Sequence, residues 1–195
     1  IETPVPGEAI LPPNIRPIAA GFLALSNFIV VLDMTVANVS IPHIAGDIGV
    51  SLDQGTWIIT SYAVAEALTV PLTGWLAQRF GTVRLYMLCM SMFGLFSLLC
   101  ASSLTLQMIV ISRLGQGLCG GLLMALSQTL MLRIFSLEDR GKAILLSSMT
   151  VLMGPALGPN IGGYISDNFS WHWIFLINLP IVAACVASAW FFLRP

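Results

Sequence analysis

The chain has 195 residues, of which 57% are apolar and 9% charged, and its net charge is −1. A soluble domain carries about 25% charged residues, so this composition excludes a wettable surface wrapped around a soluble core and makes lipid the main solvent. No basic tract points to nucleic acid, and Cys89, Cys100, Cys119 and Cys185, all in apolar stretches at unrelated spacings, form neither a disulfide framework nor a metal site. They read as packing residues.

The chain starts at Ile1 and stops at Pro195 directly after an apolar stretch, so it is expected to be a fragment. Residues 1–16 read as a solvated, proline-containing N-terminal arm rather than a signal peptide, which would have a basic start and a cleavage site. Residues 17–195 then divide into six stretches long enough to cross a hydrocarbon core of about 30 Å, at 17–41, 54–76, 83–101, 104–126, 141–165 and 173–193. Backbone groups in lipid must bond within their own segment, and no alternating pattern suggests a β-barrel. The expected fold class is all-α, a polytopic transmembrane helical bundle.

Arg16, Arg79, Arg84, Arg133, Arg140, Lys142 and Arg194 fall in the arm, the second and fourth loops and the C-terminal end, whereas the first, third and fifth loops contain no Lys or Arg. Cytoplasmic enrichment of these residues puts both ends inside. Trp57, Trp171 and Trp173 lie at the expected outer boundary, where indole rings prefer the headgroup layer.

Three ionisable residues remain inside spans: Asp33, Glu66 and Arg113. At 1.5 Å per residue they lie roughly 12, 18 and 14 Å below the outer ends of the first, second and fourth spans, in one central layer. A charge there costs at least about 2.5 to 3.5 kcal/mol and marks a functional candidate. The guanidinium stays charged, while a carboxylate in a poorly hydrated cavity exchanges a proton when its solvation or pairing changes. Asp33 or Glu66 is therefore expected to carry H+ and Arg113 to set its affinity. A static ion pair holding helices together remains the alternative, and Glu66 would look the same if it lined the cavity of a cationic substrate.

The fifth span contains Gly154-Pro155-Ala-Leu-Gly158-Pro159-Asn-Ile-Gly162-Gly163. Each proline removes a backbone bond, and glycines four apart make a flat strip for close approach by another helix. The second loop reads Gly74-Trp-Leu-Ala-Gln-Arg79-Phe-Gly81-Thr-Val-Arg84, a tight turn with arginines that also serve as topological anchors.

At these residues the chain resembles a known family. The loop resembles the Gly-x-x-x-Asp-Arg-x-Gly-x-x-Arg signature of the major facilitator superfamily, Arg113-Leu-Gly-Gln116-Gly117 resembles its fourth-span motif, and the Gly-Pro segment resembles the fifth-span motif of its antiporter branches. The segments from Leu32-Asp33 to Pro42 and from Ser170-Trp171 to Pro180 narrow the resemblance to the fourteen-span drug:proton antiporters of the EmrB/QacA type. The five motifs occur in order and span nearly the whole chain, corresponding to the N-terminal six-span domain of such a transporter. One position departs: where the signature has Asp, this chain has Gln78, which weakens any charge-based latch there.

The resemblance implies two inverted three-helix repeats forming one half of a rocking transporter, with substrate held between this half and another. It also implies proton-coupled export of hydrophobic or amphiphilic drugs across a bacterial inner membrane, with H+ as coupling ion and no cofactor. Asp33 matches the first-span acidic position and Arg113 the arginine linked to proton coupling. A periplasmic adaptor and an outer-membrane channel are possible partners. The rival readings are a nutrient importer of the same fold and a non-transporting membrane scaffold. An enzyme is not expected, since no HExxH, Gly-x-Ser-x-Gly or paired intramembrane aspartates occur.

Overall fold

The computed structural model describes residues 11, 12 and 14–193; most of the expected arm, and Arg194, lie outside the described residues. The described chain is helical almost throughout. Helix α1, Arg16–Ile48, ends at Gly49, whose φ of 74° lets its N–H reach back to Ala45 O, a left-handed cap that glycine adopts without a Cβ clash. The short α2, Leu52–Gly55, opens on a capping box in which Ser51 and Gln54 satisfy each other's backbone N–H. It leads into α3, Trp57–Thr69. Helices α5, Thr82–Ala101, α6, Leu106–Ile134, and α7, Arg140–Asn168, follow. The last span joins α8, Trp173–Leu176, to α9, Asn178–Ser188, and finishes in a π turn at Ala189–Leu193.

Five of the six expected spans are long and apolar enough to cross a membrane as assigned. The second is a broken rod: α3 passes into a 3₁₀ turn at Val70–Leu72 and then into α4, Thr73–Phe80. Pro71 supplies no backbone N–H, so the α-helical ladder is interrupted there. The 57–80 segment still runs without a gap for about 36 Å, enough to span the hydrocarbon.

The first and fourth helices run past their expected ends at 41 and 126, to Ile48 and Ile134. Pro42 lies just beyond the expected span, and α1 runs through it without interruption. Beyond Pro42 the polar residues find partners outside the bilayer core: His43 Nε2 lies 3.3 Å from Asp167 Oδ1, and Trp171 Nε1 donates to Asp47 Oδ2 at 2.8 Å. The second contact corrects the reading of Trp171 as a headgroup anchor. Its ring is only 4% exposed and is stacked on His172 at 3.7 Å between centroids, because a buried indole needs an acceptor and Asp47 supplies one. Trp57 and Trp173, both more than half exposed, keep the orientation that an anchor requires.

Helices α1 and α6 form the centre and touch each other. Around them α1 packs on α7 and α9, α6 on α3 and α5, and α5 on α9. Exchanging the first three spans with the last three maps the pair of spans one and five onto four and two, and one and six onto four and three. That is the arrangement two three-helix repeats require. Leu23, Ile29, Tyr62, Phe93 and Leu123 fill the middle, while exposed Leu88, Leu95, Leu152 and Leu157 coat the outside with apolar surface suited to lipid.

Candidate functional site

Asp33 stands midway along α1 and points into the bundle, 2% exposed, toward fully buried Arg113 of α6. Arg113 Nη1 donates to Asp33 Oδ2. It also donates to Gln116 Oε1 at 3.0 Å, one turn along the same helix, and Gln116 Nε2 lies 3.4 Å from Asp33 Oδ1. The i, i+3 spacing puts both α6 side chains on one face. From α9, Asn178 Nδ2 donates to Asp33 Oδ1 at 2.6 Å and to Ser97 Oγ at 2.8 Å, and Ser97 in turn donates to Phe175 O at 2.9 Å. From α3, the Tyr62 ring lies under the guanidinium at 4.3 Å from its centroid, and Ile58 O accepts from Arg113 Nε at 3.4 Å. Every span but the fifth thus contributes a direct contact to one buried ion pair or to the side chains that hold it.

A buried pair loses hydration on both sides and is stable only when hydrogen bonds replace it. Asp33 has them: each carboxylate oxygen accepts at least one donor. Among the described residues Arg113 Nη2, Asn178 Oδ1 and Tyr62 Oη find no hydrogen-bond partner, so the cluster retains unspent hydrogen-bonding capacity next to a charge.

Glu66 does not join this cluster. It is half-buried on α3; its backbone carbonyl accepts from Thr69 Oγ1 at 3.0 Å, and among the described residues no ion pair reaches its carboxylate. The sequence estimate of one shared layer for three charges overlooked facing: Tyr62, one turn earlier on α3, takes the place beside the guanidinium. Gln116, in the fourth-span motif, and Asn178, inside the segment from Ser170 to Pro180, belong to the cluster instead. Their signal was a carboxamide side chain in an apolar span, expensive in lipid unless paired.

The Gly-Pro segment lies on the other side of α1. Gly154, Gly158 and Gly162 are buried on one stripe of α7, where a Cβ would meet Val31 at 2.5 Å, Thr35, and the Val36 backbone at 3.1 Å respectively. Thr35 Oγ1 lies 3.3 Å from Gly154 O. The stripe therefore seats α7 on the residues that flank Asp33. Pro155 and Pro159 face outward, and α7 is assigned without interruption through both. Gly163 is off the stripe and has open space around its Cα.

At the opposite end of the second span, Gly81 adopts φ of 82° between α4 and α5, the conformation that a turn this tight asks of glycine. Gly74 has no atom within 4 Å of a would-be Cβ. Arg79 and Arg84 are exposed, and Arg79 lies 5.7 Å from the Trp75 ring centroid. In the other basic loop Lys142 donates to Asp139 at 2.8 Å and so holds that carboxyl below its usual range. Cys89, Cys100, Cys119 and Cys185 are all buried and unbridged. Among the described residues no group of three or more His, Cys, Asp or Glu side chains converges.

A two-repeat bundle of six membrane-crossing rods with one ion pair at its centre defines this chain as a multi-pass membrane protein. Residues 23–195 match the Major Facilitator Superfamily, and the chain belongs to it. It is 48% identical over 168 residues to the multidrug export protein EmrB of Haemophilus influenzae, covering 86% of this chain and 33% of that protein. It is 46% identical over 168 residues to the fatty acid resistance protein FarB of Neisseria gonorrhoeae, covering 86% and 32%. The chain therefore spans about a third of the length of these curated relatives. In fold it is similar to the proton:xylose symporter XylE, with a TM-score of 0.78 at 14% identity over 91% of this chain and 45% of that one, a likeness of architecture alone.

Proposed function

We propose that the chain is the N-terminal half of a proton-coupled exporter that exchanges inward-moving H+ for outward-moving hydrophobic or amphiphilic compounds by alternating access. Residues 17–195 form the six-span domain and 1–16 a cytoplasmic arm, in a bacterial inner membrane with the basic loops inside. No enzymatic step and no cofactor is assigned to it. The observation that carries the reading is the Asp33–Arg113 pair, buried at the centre of the bundle and held, directly or through Asn178, by side chains and backbone of five spans.

In this reading Asp33 accepts the proton. Protonation removes the charge that Arg113 and Asn178 hold, so the guanidinium is freed to re-pair, and its uncommitted Nη2 supplies the capacity to do so. Arg113 sets proton affinity through its own permanent charge. Glu66, half-buried and outside the pair, lines the substrate side. Seating α7 through glycine on Val31 and Thr35 transmits a shift of α1 to the fifth span. The similarity to a multidrug export protein and a fatty acid resistance protein supports an amphiphilic substrate class. A periplasmic adaptor and outer-membrane channel would complete the export path.

The test is drug-driven proton movement in inverted vesicles containing the full-length transporter. Asp33→Asn is expected to abolish it, while Glu66→Gln changes substrate preference and leaves coupling in place. Intact coupling in Asp33→Asn would overturn the assignment.

A further inference from the structure

We propose that the groove between spans two, three and four, at the end of the bundle carrying Arg79 and Arg84, is a binding site for an anionic phospholipid. The groove has a volume of about 540 Å³ and is walled by Phe80, Leu88, Leu118 and Leu122, with both arginines lining it. Three observations select this occupant. The walls are apolar and belong to membrane-spanning helices, and Leu88 and Leu118 are exposed, so an acyl chain can enter from the bilayer. The two guanidinium groups have no carboxylate partner among the described residues, and the acidic position that the loop signature would offer is Gln78 in this chain. Two uncompensated positive charges beside an apolar slot complement a phosphodiester joined to a hydrocarbon tail, the pattern by which basic pockets between spans take anionic headgroups.

The geometry of the turn holds the two charges at one end of the slot. Gly81, with its positive φ, folds α5 back beside α4, so the last turn of one helix and the first turn of the next each present an arginine. Trp75, one turn earlier on α4, stands 5.7 Å from the Arg79 guanidinium. A bound lipid would neutralise the arginines and lean on both α4 and α6, fixing the lower half of the broken second span against the fourth.

Native mass spectrometry of the full-length transporter, released from detergent and titrated with phosphatidylglycerol, cardiolipin and phosphatidylcholine, tests this. Wild type is expected to bind the two anionic lipids roughly tenfold more tightly than phosphatidylcholine, and the double variant R79Q/R84Q to lose that preference. Leu88→Trp, which keeps every charge and fills the slot, is expected to lose anionic lipid as well; Arg133→Gln, in the other basic loop, is expected to retain it. Equal binding of the three lipids by wild type, a preference surviving in R79Q/R84Q, or full displacement by inorganic phosphate would overturn the proposal. Binding is read without transport, so failure of the antiport reading leaves this result independent.

Discussion

Asp33 and Arg113 are the residues on which the bundle depends most. Truncating one member of a buried pair strands the other charge in low dielectric, which costs about 3 to 5 kcal/mol, whereas removing both charges with shape-similar groups is far milder. Arg113→Ala is therefore expected to lower the unfolding midpoint of the purified full-length protein much more than the double variant D33N/R113Q. The reverse order in a thermal melt would mean that the pair is not held as the structure shows. Asn178 carries part of the same load through its 2.6 Å bond to Asp33. Asn178→Ala should cost about 1.5 to 3 kcal/mol, the range for a hydrogen bond to a charged group. The sequence exposed Asp33 and Arg113 because charge in an apolar run is conspicuous. It did not separate Glu66 from them, since depth is legible from residue spacing and facing is not.

Between elements, glycine decides which helices meet closely. On α7 the stripe of Gly154, Gly158 and Gly162 accepts α1, and on α6 Gly117 and Gly121 accept α3, where a Cβ at Gly117 would lie 2.9 Å from Ala65 and one at Gly121 2.5 Å from Thr69 Oγ1. The two contacts are related by the exchange of repeats, so α1 and α6 each gain one close neighbour through glycine. Gly158→Ala must displace Thr35, and overpacking of this kind costs about 1 to 3 kcal/mol. Gly163→Ala meets open space. A melting comparison should therefore show Gly158→Ala destabilised and Gly163→Ala close to wild type. Spacing of the glycines revealed a flat strip in advance, whereas the choice of α1 as its partner came from the fold. Pro71 and Pro42 show the converse. Both are helix breakers in sequence, yet α1 continues through Pro42, whereas the second span passes into a 3₁₀ turn at Pro71.

For the whole molecule, orientation is the property most open to direct measurement. All four cysteines of this chain are buried, so single cysteines introduced here can be read in a full-length protein whose remaining cysteines are replaced. With the basic loops inside, Glu138→Cys should react with an impermeant maleimide only in inverted vesicles and Asp53→Cys only in right-side-out ones. The opposite pattern would invert the proposed topology and with it the direction assigned to proton flow.

Composition and charge placement determined, from sequence alone, that this is a helical membrane protein with six crossings, because lipid tolerates few charged side chains and demands internally bonded backbone. Motif order pointed to the family, and the cost of charge in hydrocarbon singled out Asp33 and Arg113. Tertiary structure decided what those constraints leave free: that Gln116 and Asn178 rather than Glu66 complete the cluster, that Trp171 turns inward to Asp47, and that the Gly-Pro face rests on α1 beside Asp33. The physical reason is the same in each case. Spacing along a helix sets depth, while azimuth and partner are set by packing among helices distant in the chain.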